Sequence, residues 1–170
     1  MKVLLEGRPG TGKTTVVARL ADLLRARRIA VAGFVTHELR EGRRRVGFEL
    51  ETVAGERAVL AHVSFSGPPR VGKYGVDLAA FERVALPVLE RAAADVVVID
   101  ELGKMELASE RFRDSVERIF DSPANVVATV HVFRNPFTDA LKQREDVERV
   151  RLTQAVRDGL PEQLAARLER

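Results

Sequence analysis

Short, continuously apolar runs alternate along the chain with longer stretches whose apolar residues recur at helical spacing. The first kind suits parallel strands buried on both faces, and the second suits amphipathic helices laid against them. Lys2–Glu6 is such a run. A helix is predicted after it over Lys13–Arg27, gathering Val16, Val17, Leu20, Leu23 and Leu24 on one face. Ile29–Thr36 reads as the next strand. Val46–Val53 and Arg57–Val63 are strand-like and separated only by Ala54-Gly55-Glu56, the spacing of an antiparallel hairpin. Ser64–Gly75, rich in Gly, Pro and Ser, is expected to be a mobile loop. Asp77 is placed to cap a helix running toward Ala94, and Pro87 within it predicts a kink or two joined helices.

In the second half, Asp95–Asp100 (DVVVID) is another buried strand, Ser109 caps a helix through Phe120, and Asn125–His131 (NVVATVH) is a strand. A helix near Asp139–Arg144, a short strand Val147–Leu152 and a helix over Pro161–Leu168 complete the pattern. Alternation of this kind predicts an α/β architecture: a mostly parallel sheet flanked by helices, with an antiparallel hairpin added. There is no repeat, linker or low-complexity block, so residues 1–170 read as one domain.

Composition narrows the chemistry. With 170 residues, 45% hydrophobic and 31% charged, the chain can bury a full core. No apolar run approaches the roughly 18 residues of a membrane helix, so no membrane partner is expected. Glu6 and Gly7 interrupt the N-terminal apolar run before a signal core could form, so secretion is not expected either. There is no cysteine. That excludes disulfides, thiolate nucleophiles and Cys-ligated zinc or iron–sulfur sites, and suits a cytoplasmic location. The net charge is only +3, and the pI near 9.7 reflects Arg outnumbering Lys. Arg25, Arg27 and Arg28 suit a helix C-terminus, and Arg40, Arg43, Arg44 and Arg45 a solvated hairpin or loop. Nucleic acid is therefore not the favoured partner. Nothing in the chain sets an oligomeric state, and a monomer is the working expectation.

Gly7-Arg8-Pro9-Gly10-Thr11-Gly12-Lys13-Thr14, continued by Thr15, matches the phosphate-binding loop G-x-x-x-x-G-K-[ST] at every position. Its glycines allow successive backbone N–H groups to turn inward around an anion, and the following helix presents its positive end there. In that arrangement Lys13 reaches the β and γ phosphates of a nucleoside triphosphate, and the Thr14 hydroxyl ligates Mg2+. The strand Asp95–Asp100 ends in an acid, Asp100, at the sheet edge where such folds bind ligands. A hard cation prefers carboxylate oxygen, so Asp100 is the second candidate Mg2+ residue. Glu101, beside it, is placed to orient and deprotonate a water in line with the γ-phosphorus.

Asp100-Glu101-Leu102-Gly103-Lys104-Met105-Glu106-Leu107 closely resembles the DEIGKMEL signature of the THEP1-type nucleoside-triphosphatases, which include the cancer-related NTPase of animals. Gly33-Phe34-Val35-Thr36 with Glu38 and Arg40, Gly47-Phe48, and Val71-Gly72-Lys73-Tyr74-Gly75-Val76-Asp77 are similar to further segments of that family, so the resemblance spans nearly the whole chain. It implies a RecA-like P-loop NTPase fold and Mg2+-dependent hydrolysis of several nucleoside triphosphates. It also implies that Asp100 and Glu101 are the metal-binding and water-activating acids. Where the family reads T-P-E-N-R-D near its end, this chain has Thr153-Gln154-Ala155-Val156-Arg157-Asp158, with Val156 at the Asn position.

Other residues carry two readings each. Lys104 can stabilise charge on the γ-phosphate or pair with Glu106. Arg70 and Arg134 can act as arginine fingers or remain surface charges. His131 can sense the γ-phosphate or be a satisfied strand end, and Tyr74 and Phe34 can stack on a base or belong to the core. Two other activities share these motifs. A small-molecule kinase shares the loop, but Glu101 beside the metal acid favours water as acceptor. A switch-type GTPase shares the D-x-x-G reading of Asp100–Gly103, yet no N-K-x-D guanine reader is present. An Arg-rich, nucleic-acid-associated ATPase is the remaining alternative.

Overall fold

The computed structural model describes residues 1–90 and 94–169. Its first half runs β1 (Lys2–Gly7), α1 (Lys13–Ala26), β2 (Val31–Glu41), β3 (Arg44–Thr52), β4 (Arg57–His62), β5 (Arg70–Val71), β6 (Tyr74–Val76) and α2 (Leu78–Glu90). The second half runs β7 (Val96–Ile99), α3 (Glu110–Asp121), β8 (Asn125–His131), α4 (Pro136–Lys142), β9 (Val147–Arg151), α5 (Gln154–Arg157) and α6 (Leu160–Leu168). A single 3-10 turn, Glu106–Ala108, precedes α3. The strands form one nine-stranded sheet, ordered β5-β6-β4-β3-β2-β7-β8-β1-β9. From β2 to β9 neighbouring strands are parallel; from β2 outward through β3, β4, β6 and β5 they are antiparallel.

Why the apolar runs are continuous is visible in the packing. On β1, Val3 and Leu5 face a core built with Val16, Val17, Leu20 and Leu24 of α1 and Leu160 and Leu164 of α6. Leu4 between them faces the opposite core, with Phe81 and Val84 of α2 and Phe112 and Val116 of α3. A central strand covered on both faces has no polar side to show, so period-two alternation vanishes from its sequence. Leu20 is fully buried, and truncating such a residue to Ala typically costs about 2–5 kcal/mol. Helix α1 ends at Arg27: Arg28 takes φ 62°, and its N–H and that of Ile29 bond to Arg25 O and Leu24 O. This paired closure caps the last carbonyls among the arginines predicted to lie there.

The antiparallel part is larger than one hairpin. Strand β2 runs on past the parallel ladder to Glu41 and turns at Gly42 into β3, so Arg40, Arg43, Arg44 and Arg45 sit on and around a hairpin tip. The segment expected to be a mobile loop, Ser64–Gly75, contains β5 and the start of β6, which pair with each other. Arg70 holds it, donating to Phe65 O and Lys73 O at 2.9 Å each. Asp77 caps α2 as predicted, accepting from Ala80 N–H at 2.9 Å. Helix α2 continues as one element through Pro87, and the remainder of the predicted helix, 91–93, lies outside the described residues. Helix α4 begins three residues earlier than expected, at Pro136, because Asn135 caps it and proline is already fit for a first turn. The four-residue α5 escaped prediction altogether. Phe34 and Tyr74 are core residues. Phe34 packs against Phe81 and Phe112 with centroids 6.0 and 5.9 Å away, and Tyr74 lies against Phe48 at 5.2 Å. Among the described residues no helix is long and apolar enough to cross a membrane.

The join between β2 and β7 depends on Gly33. Its φ is 113°, and a Cβ there would lie 1.8 Å from Val98 O. Gly33→Ala is expected to destabilise the fold by about 3 kcal/mol. Gly42→Asn, at the left-handed hairpin tip with open space around it, should stay within about 0.5 kcal/mol of the parent. Urea unfolding midpoints of the two variants check this contrast.

Candidate active site

The C-terminal ends of the parallel strands converge on the loop between β1 and α1. Gly10 and Gly12 take φ 77° and 92°, the left-handed conformations that a cradle of inward N–H groups requires. Thr11 Oγ1 closes the turn on Arg8 O at 2.9 Å. Lys13 is buried, and its ammonium donates to Gly7 O and Arg8 O at 3.2 Å each. The C-terminal segment lies against this loop: a Cβ on Gly12 would meet Arg157 Cδ at 2.9 Å.

Asp100 follows β7 directly and is almost wholly buried. Thr14 Oγ1 donates to Oδ2 and Thr129 Oγ1 to Oδ1, both at 2.6 Å, while Thr36 Oγ1 donates to the Asp100 carbonyl at 2.8 Å. Burial raises the carboxyl above its ordinary range; the Thr129 and Thr14 hydroxyls oppose that rise, and Glu101 adds to it. Among the described residues no cationic side chain pairs with Asp100. A buried acid with a hydroxyl 2.6 Å away and no protein counter-ion is a hard-oxygen donor pair, the chemistry that suits Mg2+ completed by water and phosphate oxygens. The residues present therefore fit the ion.

Glu101 is half-buried and lies between two nitrogens. Its Oε2 is 3.8 Å from Lys13 Nζ, and its Oε1 is 2.8 Å from His131 Nε2. Glu106 turns inward on the other side of Gly103, where an added Cβ would meet Glu106 Oε2 at 2.9 Å and Glu101 Oε1 at 3.0 Å. Complete burial, together with the charges of Glu101 and Asp100, pushes the Glu106 carboxyl up to about 8. Lys104 makes no ion pair with Glu106 among the described residues; it is exposed on the wall of the cavity.

That cavity, of about 680 Å³, is lined by Pro9, Gly10 and Gly12 through Thr15, by Asp100 through Glu106, and by residues of β2, β3 and the segment after β8. Of the predicted site residues, Gly7, Arg8 and Thr11 support the loop from outside that lining. Leu102 is buried and anchors the turn by its N–H on Thr129 O at 2.9 Å. Arg134 is in the cavity wall, whereas Arg157 bonds Asp158 at 3.0 Å beside Gly12. His131 is tied to Glu101 and is no simple strand end. The residues that sequence reasoning missed are Thr36, Thr129 and the inward-facing Glu106. Thr129 was signalled only weakly, as a polar residue within an apolar run.

Fold and loop together place the protein among the phosphate-loop NTPases of α/β architecture. A family model described as NTPase matches residues 2–165, and the chain belongs to that family. The chain is 44% identical over 162 residues to the nucleoside-triphosphatase THEP1 of Thermotoga maritima, covering 94% of this chain and 91% of that protein. It is 38% identical over 173 residues to the cancer-related nucleoside-triphosphatase of Homo sapiens, covering 93% and 91%. The crystal structure of THEP1 from Aquifex aeolicus superposes with a TM-score of 0.88 at 36% identity, covering 100% of both chains.

The raised Glu106 carboxyl carries a pH signature. Its folded pKa lies above the unfolded value of 4.5, so the folded state holds the proton longer. The associated stability is complete below the unfolded pKa and is lost as pH rises toward about 8. Relative to Glu106→Gln, the parent protein is expected to lose stability steadily between those pH values and to level off above them. Urea midpoints taken across that range test this, and parallel curves for the two proteins would refute it.

Proposed function

We propose that this protein hydrolyses nucleoside triphosphates, ATP and GTP among them, to the diphosphate and phosphate in the presence of Mg2+. The observation that carries the reading is the placement of Glu101, with its carboxylate in the cavity 3.8 Å from Lys13 Nζ and adjacent in the chain to the Asp100–Thr14 pair. In this reading Thr14 and Asp100 would hold the ion, which would supply positive charge against the phosphate oxygens. Lys13 exchanges its loop carbonyls for phosphate oxygens. Glu101 orients a water and takes its proton as the water oxygen bonds to the γ-phosphorus and the bond to the β–γ bridging oxygen breaks. Lys104, exposed on the same wall, offers positive charge to the departing phosphate.

Base recognition in this reading rests on stacking and few hydrogen bonds, because the C-terminal segment carries an exposed apolar residue, Val156, at the position where the resemblance implies Asn. Sites without buried polar readers discriminate weakly. The cysteine-free chain suits the cytoplasm.

Phosphate release across ATP, GTP, CTP and UTP, with and without EDTA, tests the reading. Turnover should vanish with EDTA, and kcat/KM for ATP and GTP should lie within about a hundredfold of each other. Glu101→Gln should slow single-turnover hydrolysis by about 10²–10⁴ while ATP still binds, whereas Lys13→Ala should weaken binding itself. Parent-like hydrolysis by Glu101→Gln would remove its role as base.

A further inference from the structure

Strand β8 lies between the strand that leads into the phosphate loop and the strand that ends in Asp100. Successive side chains of a strand point to opposite faces, so Thr129 and His131 share one. Both reach across to the neighbouring acids in sequence: Thr129 Oγ1 to Asp100 Oδ1 at 2.6 Å, and His131 Nε2 to Glu101 Oε1 at 2.8 Å. The backbone of His131 is held on two sides. It is the register partner of Gly7, where the phosphate loop begins, and its carbonyl accepts from Lys142 Nζ at 2.9 Å. Lys142 is itself buried and lies 3.6 Å from Glu6. The imidazole stacks on Phe133, with centroids 6.0 Å apart and planes inclined by 27°.

Nδ1 is buried and has no hydrogen-bond partner among the described residues. Nε2 is the ring nitrogen that meets Glu101 Oε1, and a proton on it donates to that oxygen.

We propose that His131 is the positioning residue for water activation. Its Nε2–H occupies one carboxylate oxygen of Glu101 and fixes the plane of the group, so that the second oxygen faces the loop. That second oxygen, Oε2, is the one beside Lys13. When Lys13 turns to phosphate oxygens, Oε2 is left with free lone pairs toward the site of attack. This inference rests on Glu101 being the water-activating acid. His131 acts only through Glu101 and touches no substrate.

The test uses the full-length chain with Mg–ATP in single-turnover hydrolysis, ATP binding by calorimetry, and thermal unfolding as the fold control. His131→Phe keeps an aromatic ring against Phe133 but removes the donor. It should lower the hydrolysis rate by about tenfold to a hundredfold, the size of effect produced by small displacements of a reacting group, with ATP affinity unchanged. His131→Gln restores an N–H at comparable reach and should recover most of that loss. In the Glu101→Gln background, His131→Phe should cause no further decrease, because the group it positions is already disabled. The proposal is overturned by any of three results: a parent-like rate for His131→Phe, no recovery with Gln, or a full additional loss on top of Glu101→Gln. A parent-like rate for Glu101→Gln alone defeats the underlying reading instead. If His131→Phe fails to fold, the Gln variant and its combination with Glu101→Gln still decide the matter, since a rate for His131→Gln far below that of the parent contradicts the role assigned.

Discussion

The arrangement at the loop depends on one buried carboxylate. Asp100 sits at the end of a strand with both faces covered, in surroundings that disfavour its charge; two hydroxyls donate to its carboxylate and a third, from another element, to its backbone carbonyl. Thr14 comes from α1, Thr129 from β8 and Thr36 from β2. Each contact ties a different part of the sheet to the same point, so the positions of loop, central strand and antiparallel arm are mutually set. An acid without a counter-ion among the described residues is costly in a folding ledger, and such costs concentrate at sites that a ligand completes.

Strand spacing provides the scale of the site. The phosphate-loop strand and the acid strand are separated by β8, so their axes lie about 9.6 Å apart, two ladder spacings. Side chains from both sides and from β8 itself span this gap. The distances are thus governed by ladder hydrogen bonds and not by loop conformation. That places chemical groups on rigid elements while the cavity wall is completed by more variable segments such as 132–135.

Much of this was legible in the chain, for reasons that are local. The phosphate loop is a contiguous motif, and Val96–Asp100 is a contiguous apolar run ending in an acid, so both could be read without knowing any strand neighbour. Asp77 and Ser109 announced their helices by capping chemistry. What escaped reading is non-local or very short. Thr129 acquires its role, and His131 its partner Glu101, only when β8 is known to lie between β1 and β7, a pairing with β1 across more than a hundred residues. Glu106 is indistinguishable in sequence from an exposed helix-start acid, and only the 3-10 turn directs it inward. Strands β5 and β6 and helix α5 are too brief for periodicity to register. Asn135-Pro136, in contrast, was a readable helix start that the apolar spacing drew three residues too far along.

The sheet also has two open ladders, and both are blunted. At one end β5 is two residues long. At the other β9 presents Glu148, Arg149 and Arg151 to solvent along a five-residue strand. A foreign strand seeking to add there would have to desolvate guanidinium groups or align like charges, and at the first end it would find almost no backbone to copy. The apolar strands that make a two-faced core are the kind of segments that seed cross-β stacking when exposed. Here they are confined to the interior of the order, between edges that offer no template. A protein carrying so much β-forming sequence is thereby guarded against self-templated aggregation at its own borders.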